Sequence, residues 1–236
     1  MSNLKNMLKW EFLLLSRYKI IHISILSVVL YFLSTQAVKS MNTTQFDVLL
    51  LFFDPALIGI MFVGALVLFE KSENTLQALV ITPMKTDDYL LSKMISLTIL
   101  SIISATLFMI LMYVFNNTTF NIAFLLAGIV ITSVMLILLG FILVSRVNSI
   151  NGYLLGMLMA FLSLSIPPMF HLFNLYDNVL FYLWPTQASF TLLNGVFSNL
   201  ELWEIAYGVG YQIFWIVLFY FLSKKAFYKY IVLKEA

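Results

Sequence analysis

Six long apolar runs separated by short polar segments dominate the pattern of this 236-residue chain. Most of the runs are close to or above the roughly 20 residues that a helix needs to cross a bilayer core. The period-two alternation that marks the strands of a membrane barrel is absent. The pattern therefore predicts an all-α polytopic membrane protein with six transmembrane helices. The predicted spans are Ile20–Val38, Val48–Phe69, Leu90–Phe115, Phe120–Val144, Gly152–Phe173 and Ile205–Leu222.

Composition supports a membrane location. Hydrophobic residues make up 62% of the chain and charged residues 10%, which leaves too few polar side chains to cover a water-soluble domain. We therefore expect membrane lipids to surround the protein and find no pattern for nucleic-acid binding. Cysteine is absent, so neither a disulfide framework nor a thiolate metal site is possible.

The basic residues orient the predicted bundle. Of the 13 Lys and Arg residues, 12 fall at one end of the six spans and only Lys39 falls at the other. By the positive-inside rule the basic end faces the cytoplasm. We expect a multi-pass protein of the bacterial cell membrane, with both termini cytoplasmic.

The N-terminal residues 1–19 predict an amphipathic helix at the membrane interface. One stripe of this helix carries Leu4, Met7, Leu8, Glu11, Leu14 and Leu15. Lys5 and Lys9 lie elsewhere on the helical wheel, and Trp10 is suited to the headgroup layer. The alternative is a simple positively charged leader.

Residues 174–204 predict an outer re-entrant segment before the last span. Pro167 and Pro168 are expected to end or kink the fifth span. The arms Asn178–Trp184 and Thr186–Phe197 are too short to cross a bilayer as helices but strongly apolar. An ordinary extracellular loop is the alternative.

Few residues are suited to chemistry in their own right. His22 and His171 fall at opposite ends of the bilayer, so no metal site is predicted, and no phosphate-binding Gly-rich loop with Lys-Ser/Thr occurs. Asp54 is the one carboxylate deep within an apolar run. It is either a cap for a helix that begins at Pro55 or a group on a transport pathway. Gly152 and Gly156 form a Gly-x-x-x-Gly motif, which predicts close contact between helices at a dimer interface.

The polar segment 70–92 differs from the other connections. Asn74 and Thr75 are suited to cap a helix, and Leu76, Leu79 and Val80 follow at helical spacing before Pro83. A second helix is expected to begin near Thr86 and to continue into the third span. The pattern predicts a short amphipathic helix along the cytoplasmic surface.

The segment FEKSENTLQALVITPMKTDDYLLSK (69–93) resembles the signature of type-2 ABC transporter permeases, E-x-x-x-G-T-L-x-x-L-x-x-T-P-L-x-x-x-E-x-L-x-x-K. The preceding FDPALIGIMFVG (53–64) is similar to the fluoroquinolone-export-permease branch of that family. Asn74 stands where the signature has Gly. The resemblance covers most of the chain, and it implies a single transmembrane permease domain over 1–236.

The resemblance also implies how such a chain works. The permease dimerises, as a homodimer or with a related chain, and pairs with a separate ABC ATPase subunit that binds the ATP and Mg, so the chain itself is not an enzyme and holds no cofactor. It exports a hydrophobic or amphipathic substrate, such as a drug, a lipid or a membrane-active peptide. The residues expected to couple to the ATPase are Glu70, Glu73, Thr75, Leu76, Leu79, Val80 and Asp87.

Two other classes remain open at this point. An ion-coupled carrier would show inverted repeats and several charges at the midplane, neither of which the sequence shows, and Asp54 has no evident charged partner. A non-transporting membrane assembly or immunity protein could keep the same fold.

Overall fold

The computed structural model describes residues 2–38, 44–76 and 86–232, and the described residues form helices and no strands. The α-helices are α1 Ser2–Arg17, α2 Ile20–Val38, α3 Thr44–Ala56, α4 Val63–Ser72, α5 Thr86–Asn116, α6 Ile122–Val144, α7 Ile150–Leu172, α8 Pro185–Asn194 and α9 Leu202–Phe227. A π-helical turn, Leu57–Phe62, joins α3 to α4, a 3-10 helix spans Val179–Leu183, and a second π-helical turn, Tyr228–Val232, follows α9.

Six helical segments of the described chain are long and apolar enough to cross a bilayer, which confirms the predicted number of spans. The second span is composite, because α3, the π-helical turn and α4 together run from Thr44 to Ser72. Several spans extend beyond their apolar runs. The third span begins at Thr86, where Asp87 and Asp88 occupy the first turn of α5 and favour a helix N-terminus.

Polar side chains cap the N-termini of several helices. Asn121 Oδ1 accepts hydrogen bonds from the backbone N–H groups of Ala123 and Phe124 at the start of α6, at 3.0 and 3.4 Å. Ser149 does the same for α7, and Glu201 and Glu204 form a reciprocal capping box for α9. Each cap satisfies backbone donors that have no partner within the helix, so local sequence sets these boundaries.

The second span forms the centre of the bundle. Of its most apolar window, 78% is buried inside the chain, against 22% for α2 and 17% each for α7 and the last span. The three outer spans therefore present apolar faces outward, as expected for contact with lipid or with a second protein. The core is built mainly around α3, α4, α5 and α6.

Tyr153 of α7 packs directly on the irregular part of the second span. Its hydroxyl donates a hydrogen bond to the backbone carbonyl of Ile60, within the π-helical turn. A Cβ atom at Gly64 would lie 2.0 Å from the Tyr153 ring, so only glycine leaves room for this tyrosine. The pairing shows how an irregular backbone is accommodated inside an apolar bundle.

At two proline positions the structure excludes one of the two outcomes that the sequence left open. Helix α3 begins at Thr44 and includes Asp54 and Pro55, so Asp54 does not cap a helix that starts at Pro55. Helix α7 includes Pro167 and Pro168 and ends only at Leu172, so the prolines do not end the fifth span. In both cases the surrounding helices stabilise a segment that local sequence rules would break.

The segment before the last span contains one true short helix. The ten-residue α8 is about 15 Å long and is buried among its neighbours along most of its length. The expected first arm is instead a 3-10 helix with no buried residue. The structure thus contains one buried helix and one exposed turn where two half-helices were predicted.

Candidate functional site

Three of the four buried charged side chains among the described residues lie where α1, the C-terminus of α4 and the N-terminus of α5 meet, which we call the α1 end. The predicted stripe of α1 faces the bundle there: Leu14 and Leu15 are buried, and Met7 packs against the core, whereas Lys5 and Lys9 are exposed. Glu11 lies on this apolar stripe and is only 2% exposed. A carboxylate in that position requires a partner.

The partner of Glu11 is Lys93 of α5, which is 0% exposed. Lys93 Nζ lies 3.0 Å from both carboxylate oxygens of Glu11 and 2.6 Å from Glu70 Oε1 at the end of α4. These three contacts match the three N–H donors of an ammonium group. The Tyr89 hydroxyl, one turn earlier on α5, donates to Glu70 Oε2 at 2.5 Å. We call Glu11, Glu70 and Lys93 the buried triad.

The buried triad holds two carboxyl groups against one ammonium. Burial raises the pKa of Glu11 above its ordinary value of 4.5, although the charge of Lys93 opposes the shift. A proton on Glu11 would balance the charges, leaving Lys93 paired with Glu70. Because its members come from α1, α4 and α5, the triad joins the N-terminal helix to both ends of the segment 70–92.

Further contacts fasten the two ends of that segment. Glu73 is exposed and lies 3.6 Å from Arg17 of α1. Asp87 accepts a hydrogen bond from the Tyr220 hydroxyl at 2.8 Å and pairs with Lys224 at 2.8 Å, both on α9. The exposed ion pairs contribute little to stability individually, but together they connect the segment to the first and last helices.

Lys71 extends the contacts to a third element. Its ammonium donates to the backbone carbonyl of Val147 at 3.2 Å, in the connection between α6 and α7. Lys71 therefore links the end of α4 to the connection that precedes α7.

The predicted coupling residues occupy different environments. Glu70 and Leu76 are buried, at 3% and 1% exposure, Thr75 is half-buried, and Glu73 is exposed. Leu79 and Val80 lie outside the described residues. The burial of Glu70 and Leu76 favours a role inside the chain, and a contact of these residues with an ATPase stays a prediction.

Asn74 has a positive φ of 56° directly after the end of α4. This left-handed conformation favours glycine at the end of a helix and is tolerated by asparagine. The geometry accounts for the glycine of the family signature at this position.

Sequence reasoning missed Glu11, Tyr89 and Lys93 as members of one site. The usable signal was the carboxylate on the apolar stripe of α1. A buried acidic residue requires a basic one, and Lys93 stands just inside the third span. Which basic residue Glu11 meets depends on how α1 packs against α4 and α5. Local sequence patterns do not determine that packing.

Asp54 lies apart from the α1 end and is 3% exposed. Its Oδ2 accepts a hydrogen bond from the Ser104 hydroxyl of α5.

Gly152 and Gly156 line one side of α7. An added Cβ at Gly156 would meet nothing within 4 Å, and one at Gly152 would meet only Ser149 Oγ at 3.1 Å. Both glycines therefore face away from this chain, and their part in a dimer stays a prediction.

Comparison with known proteins gives a consistent result. The model of the fluoroquinolones export permease protein family matches residues 2–235. The fluoroquinolones export permease proteins of Mycobacterium tuberculosis strains CDC 1551 / Oshkosh and ATCC 25618 / H37Rv are each 32% identical over 162 residues. The matched region covers 68% of this chain and 67% of each relative. No solved structure is significantly similar to the chain.

Proposed function

Because the chain belongs to the fluoroquinolones export permease protein family, we propose that it is the transmembrane subunit of a bacterial ABC exporter. A separate ATPase subunit binds ATP and Mg and docks at the α1 end, which faces the cytoplasm. Two permease chains form the complete transmembrane unit. The substrate that moves outward is a hydrophobic or amphipathic molecule.

The buried triad is the observation that carries this proposal. A membrane subunit that is moved by a soluble ATPase needs a rigid connection between the segment that contacts the ATPase and the membrane spans. Lys93 bonds α1 and the end of α4 to α5 through buried contacts of 2.6 to 3.0 Å. Such contacts resist separation, because a buried carboxylate would be left without a counter-charge.

The coupling step follows from this connection. ATP-driven closure of the ATPases displaces the segment 70–92, and the triad transmits the displacement to α5. This 31-residue helix is about 46 Å long, so a small tilt at the α1 end moves its outer end. Glu70 and Leu76 hold the segment to the chain, while Glu73, Thr75, Leu79, Val80 and Asp87 are the residues proposed to meet the ATPase.

A reconstituted export assay tests the proposal. Inside-out vesicles containing the chain and a co-expressed ABC ATPase subunit should accumulate norfloxacin only when ATP is present. A matched ATPase whose phosphate-binding lysine is replaced should give no accumulation, and the permease purified alone should hydrolyse no ATP. Accumulation that is unaffected by the inactive ATPase would contradict the proposal.

An ion-coupled carrier is the second candidate, and the buried Asp54 favours it. It predicts accumulation in the same vesicles when a proton or sodium gradient replaces ATP. An uncoupler should then abolish the accumulation, whereas an ATP-driven exporter should retain it.

A further inference from the structure

The last span carries an exposed apolar stripe along one side of α9. Phe214, Leu218, Phe221 and Leu222 follow one another at spacings that return to the same side of a helix, and their exposed fractions lie between 37% and 65%. Only 17% of the most apolar window of this span is buried inside the chain. This side of α9 is therefore a surface on which lipid acyl chains can lie.

Two lysines continue the stripe beyond its apolar part. Lys225 follows Phe221 by four residues, and Lys229 lies one further turn along, and both are exposed. Tyr228 stands between them and is 52% exposed. We call these three residues, together with the apolar stripe, the α9 lipid face.

Contacts with α5 place the lysines at the α1 end. The neighbouring Lys224 pairs with Asp87 at 2.8 Å, and the rings of Phe227 and Tyr89 have centroids 4.8 Å apart. The basic part of the α9 lipid face therefore lies beside the buried triad, at the end of the bundle that we predict to be cytoplasmic.

The charge of the two lysines is not neutralised within the described residues. No carboxylate there forms an ion pair with Lys225 or Lys229. Lys229 Nζ lies 5.2 Å from the centre of the Tyr230 ring, which leaves its charge in place. The exposed acids nearby, Glu73 and Asp87, already pair with other cations. An anionic partner must therefore come from outside the chain to balance this surface.

The length of α9 sets the depth of the lysines. The exposed Trp203 at its start and Tyr228 just after its end are suited to the two membrane interfaces. They are about 38 Å apart along the helix, between the roughly 30 Å of a hydrocarbon core and the 40–45 Å that includes the headgroups. Phe214 and Lys225 are about 16 Å apart, close to half of the hydrocarbon core. The apolar stripe thus spans one leaflet, and the lysines reach its headgroups.

We propose that the α9 lipid face binds an anionic phospholipid of the leaflet at the α1 end. The headgroup phosphate contacts Lys225, Lys229 and the Tyr228 hydroxyl, and an acyl chain lies along the apolar stripe. This lipid is a bound partner of the permease and not its exported cargo, so the inference goes beyond the proposed function. An anionic headgroup gains attraction from each lysine, whereas a zwitterionic headgroup brings a cation that offsets part of it.

Native mass spectrometry of the purified full-length chain tests the site. The chain in detergent micelles is titrated with phosphatidylglycerol or with phosphatidylcholine of identical acyl chains, and the lipid-bound fraction gives a dissociation constant for each lipid. The wild-type chain should bind phosphatidylglycerol about tenfold more tightly. No ATPase subunit and no fluoroquinolone is present, so failure of this test is distinct from failure of the proposed export function.

Paired substitutions locate the binding. Lys225→Gln with Lys229→Gln should reduce the preference to about threefold or less, whereas Lys225→Arg with Lys229→Arg should retain it. Lys5→Gln with Lys9→Gln is the charge-matched control, because these exposed lysines of α1 are also four residues apart but continue no apolar stripe of a spanning helix. The control should change both dissociation constants by less than about twofold. Thermal unfolding of each variant checks that it is folded.

Three outcomes would overturn the inference. The wild-type chain could bind the two lipids equally, the preference could survive in the Lys225 and Lys229 double glutamine variant, or the α1 control could lose it to the same extent. The last result would mean that overall charge, and not the α9 lipid face, attracts the lipid. Loss of ATPase binding in the double glutamine variant, with its lipid preference unchanged, would assign this surface to the ATPase instead.

Discussion

At the scale of single residues, the α1 end depends most on Lys93. Its ammonium group is fully buried and bonds the carboxyl groups of both Glu11 and Glu70. Glu11 and Glu70 are not equivalent partners. Glu70 also accepts a hydrogen bond from Tyr89, whereas Glu11 is the carboxyl group whose pKa burial raises.

The triad predicts unequal costs for two substitutions that each change one of its ionisable groups. Lys93→Met leaves two buried carboxyl groups without a counter-charge and should destabilise the chain by about 3–5 kcal/mol. Glu11→Gln keeps the shape and leaves Lys93 paired with Glu70, so its cost should stay below about 1 kcal/mol. Thermal unfolding in detergent measures both. A cost for Glu11→Gln as large as that for Lys93→Met would contradict the charge balance described for the triad.

The raised pKa of Glu11 predicts a pH dependence of stability. Because burial raises the pKa of Glu11 above its ordinary value of 4.5, the folded chain binds a proton at Glu11 more tightly than the unfolded chain does. This contribution is therefore fully present below pH 4.5 and is lost as the pH rises through the raised value. The Tm of the wild-type chain should fall relative to that of Glu11→Gln as the pH rises above 4.5 and through the raised pKa of Glu11. A constant difference across this range would show that Glu11 does not take up the proton.

At the scale of elements, the second span combines a continuous helix with an irregular centre. The π-helical turn Leu57–Phe62 follows Pro55 closely, and Tyr153 bonds the Ile60 carbonyl within the turn. The side chain of one helix thereby adds a hydrogen bond to the irregular backbone of another. Irregular helical turns of this kind are frequent at functional sites.

Removing the Tyr153 hydroxyl tests this support. Tyr153→Phe removes one buried hydrogen bond to this carbonyl and should lower the free energy of unfolding by about 1 kcal/mol. The exposed Tyr176 is a suitable control, and Tyr176→Phe should change stability by less than about 0.5 kcal/mol. Equal effects of the two substitutions would mean that the bond adds nothing to stability.

Helix α7 carries the predicted dimer contact. Ile at both Gly152 and Gly156 should hold two α7 helices apart and reduce dimer formation. Gly210→Ile on α9 is the matched control, since an added Cβ there also meets nothing within 4 Å. Because the native chain has no cysteine, cross-linking through Leu155→Cys on the exposed face of α7 reports the dimer directly. Equal cross-linking in both variants would place the interface elsewhere.

At the scale of the whole molecule, the number of membrane crossings determines on which side of the membrane each connection and each terminus lies. Six spans place α1 and the end of α9 on the same side, and the contact of Lys224 with Asp87 agrees with that arrangement. Helix α8 is short and buried among spanning helices, so it does not add a seventh crossing.

Accessibility of introduced cysteines tests this topology. Asp177→Cys and Asn199→Cys replace exposed residues on either side of α8, and both should react with a membrane-impermeant maleimide added outside intact cells. Leu192→Cys, at 1% exposure, is the internal control and should remain unlabelled. Labelling of position 177 from outside and of position 199 only from inside would require a seventh crossing and would move the last span's N-terminus to the cytoplasmic side.

The sequence alone determined the all-α class, the six spans and the family, because these depend on the length of apolar runs and on local motifs. Capping residues such as Asn121 and Ser149 similarly set helix starts from nearby side chains. Tertiary structure decided which charged groups meet. Glu11 and Lys93 are 82 positions apart, and Asp54 and Ser104 are 50 apart.

The physical reason is that these pairings depend on how helices pack. Each helix places its side chains by its own period, but the face it turns inward depends on the fit of all its neighbours. Asp54 thus lies inside a helix where local rules place a cap, because the packed bundle keeps α3 helical through Pro55. Charge and apolar length are properties of the chain, whereas the partner of a buried charge is a property of the packed molecule.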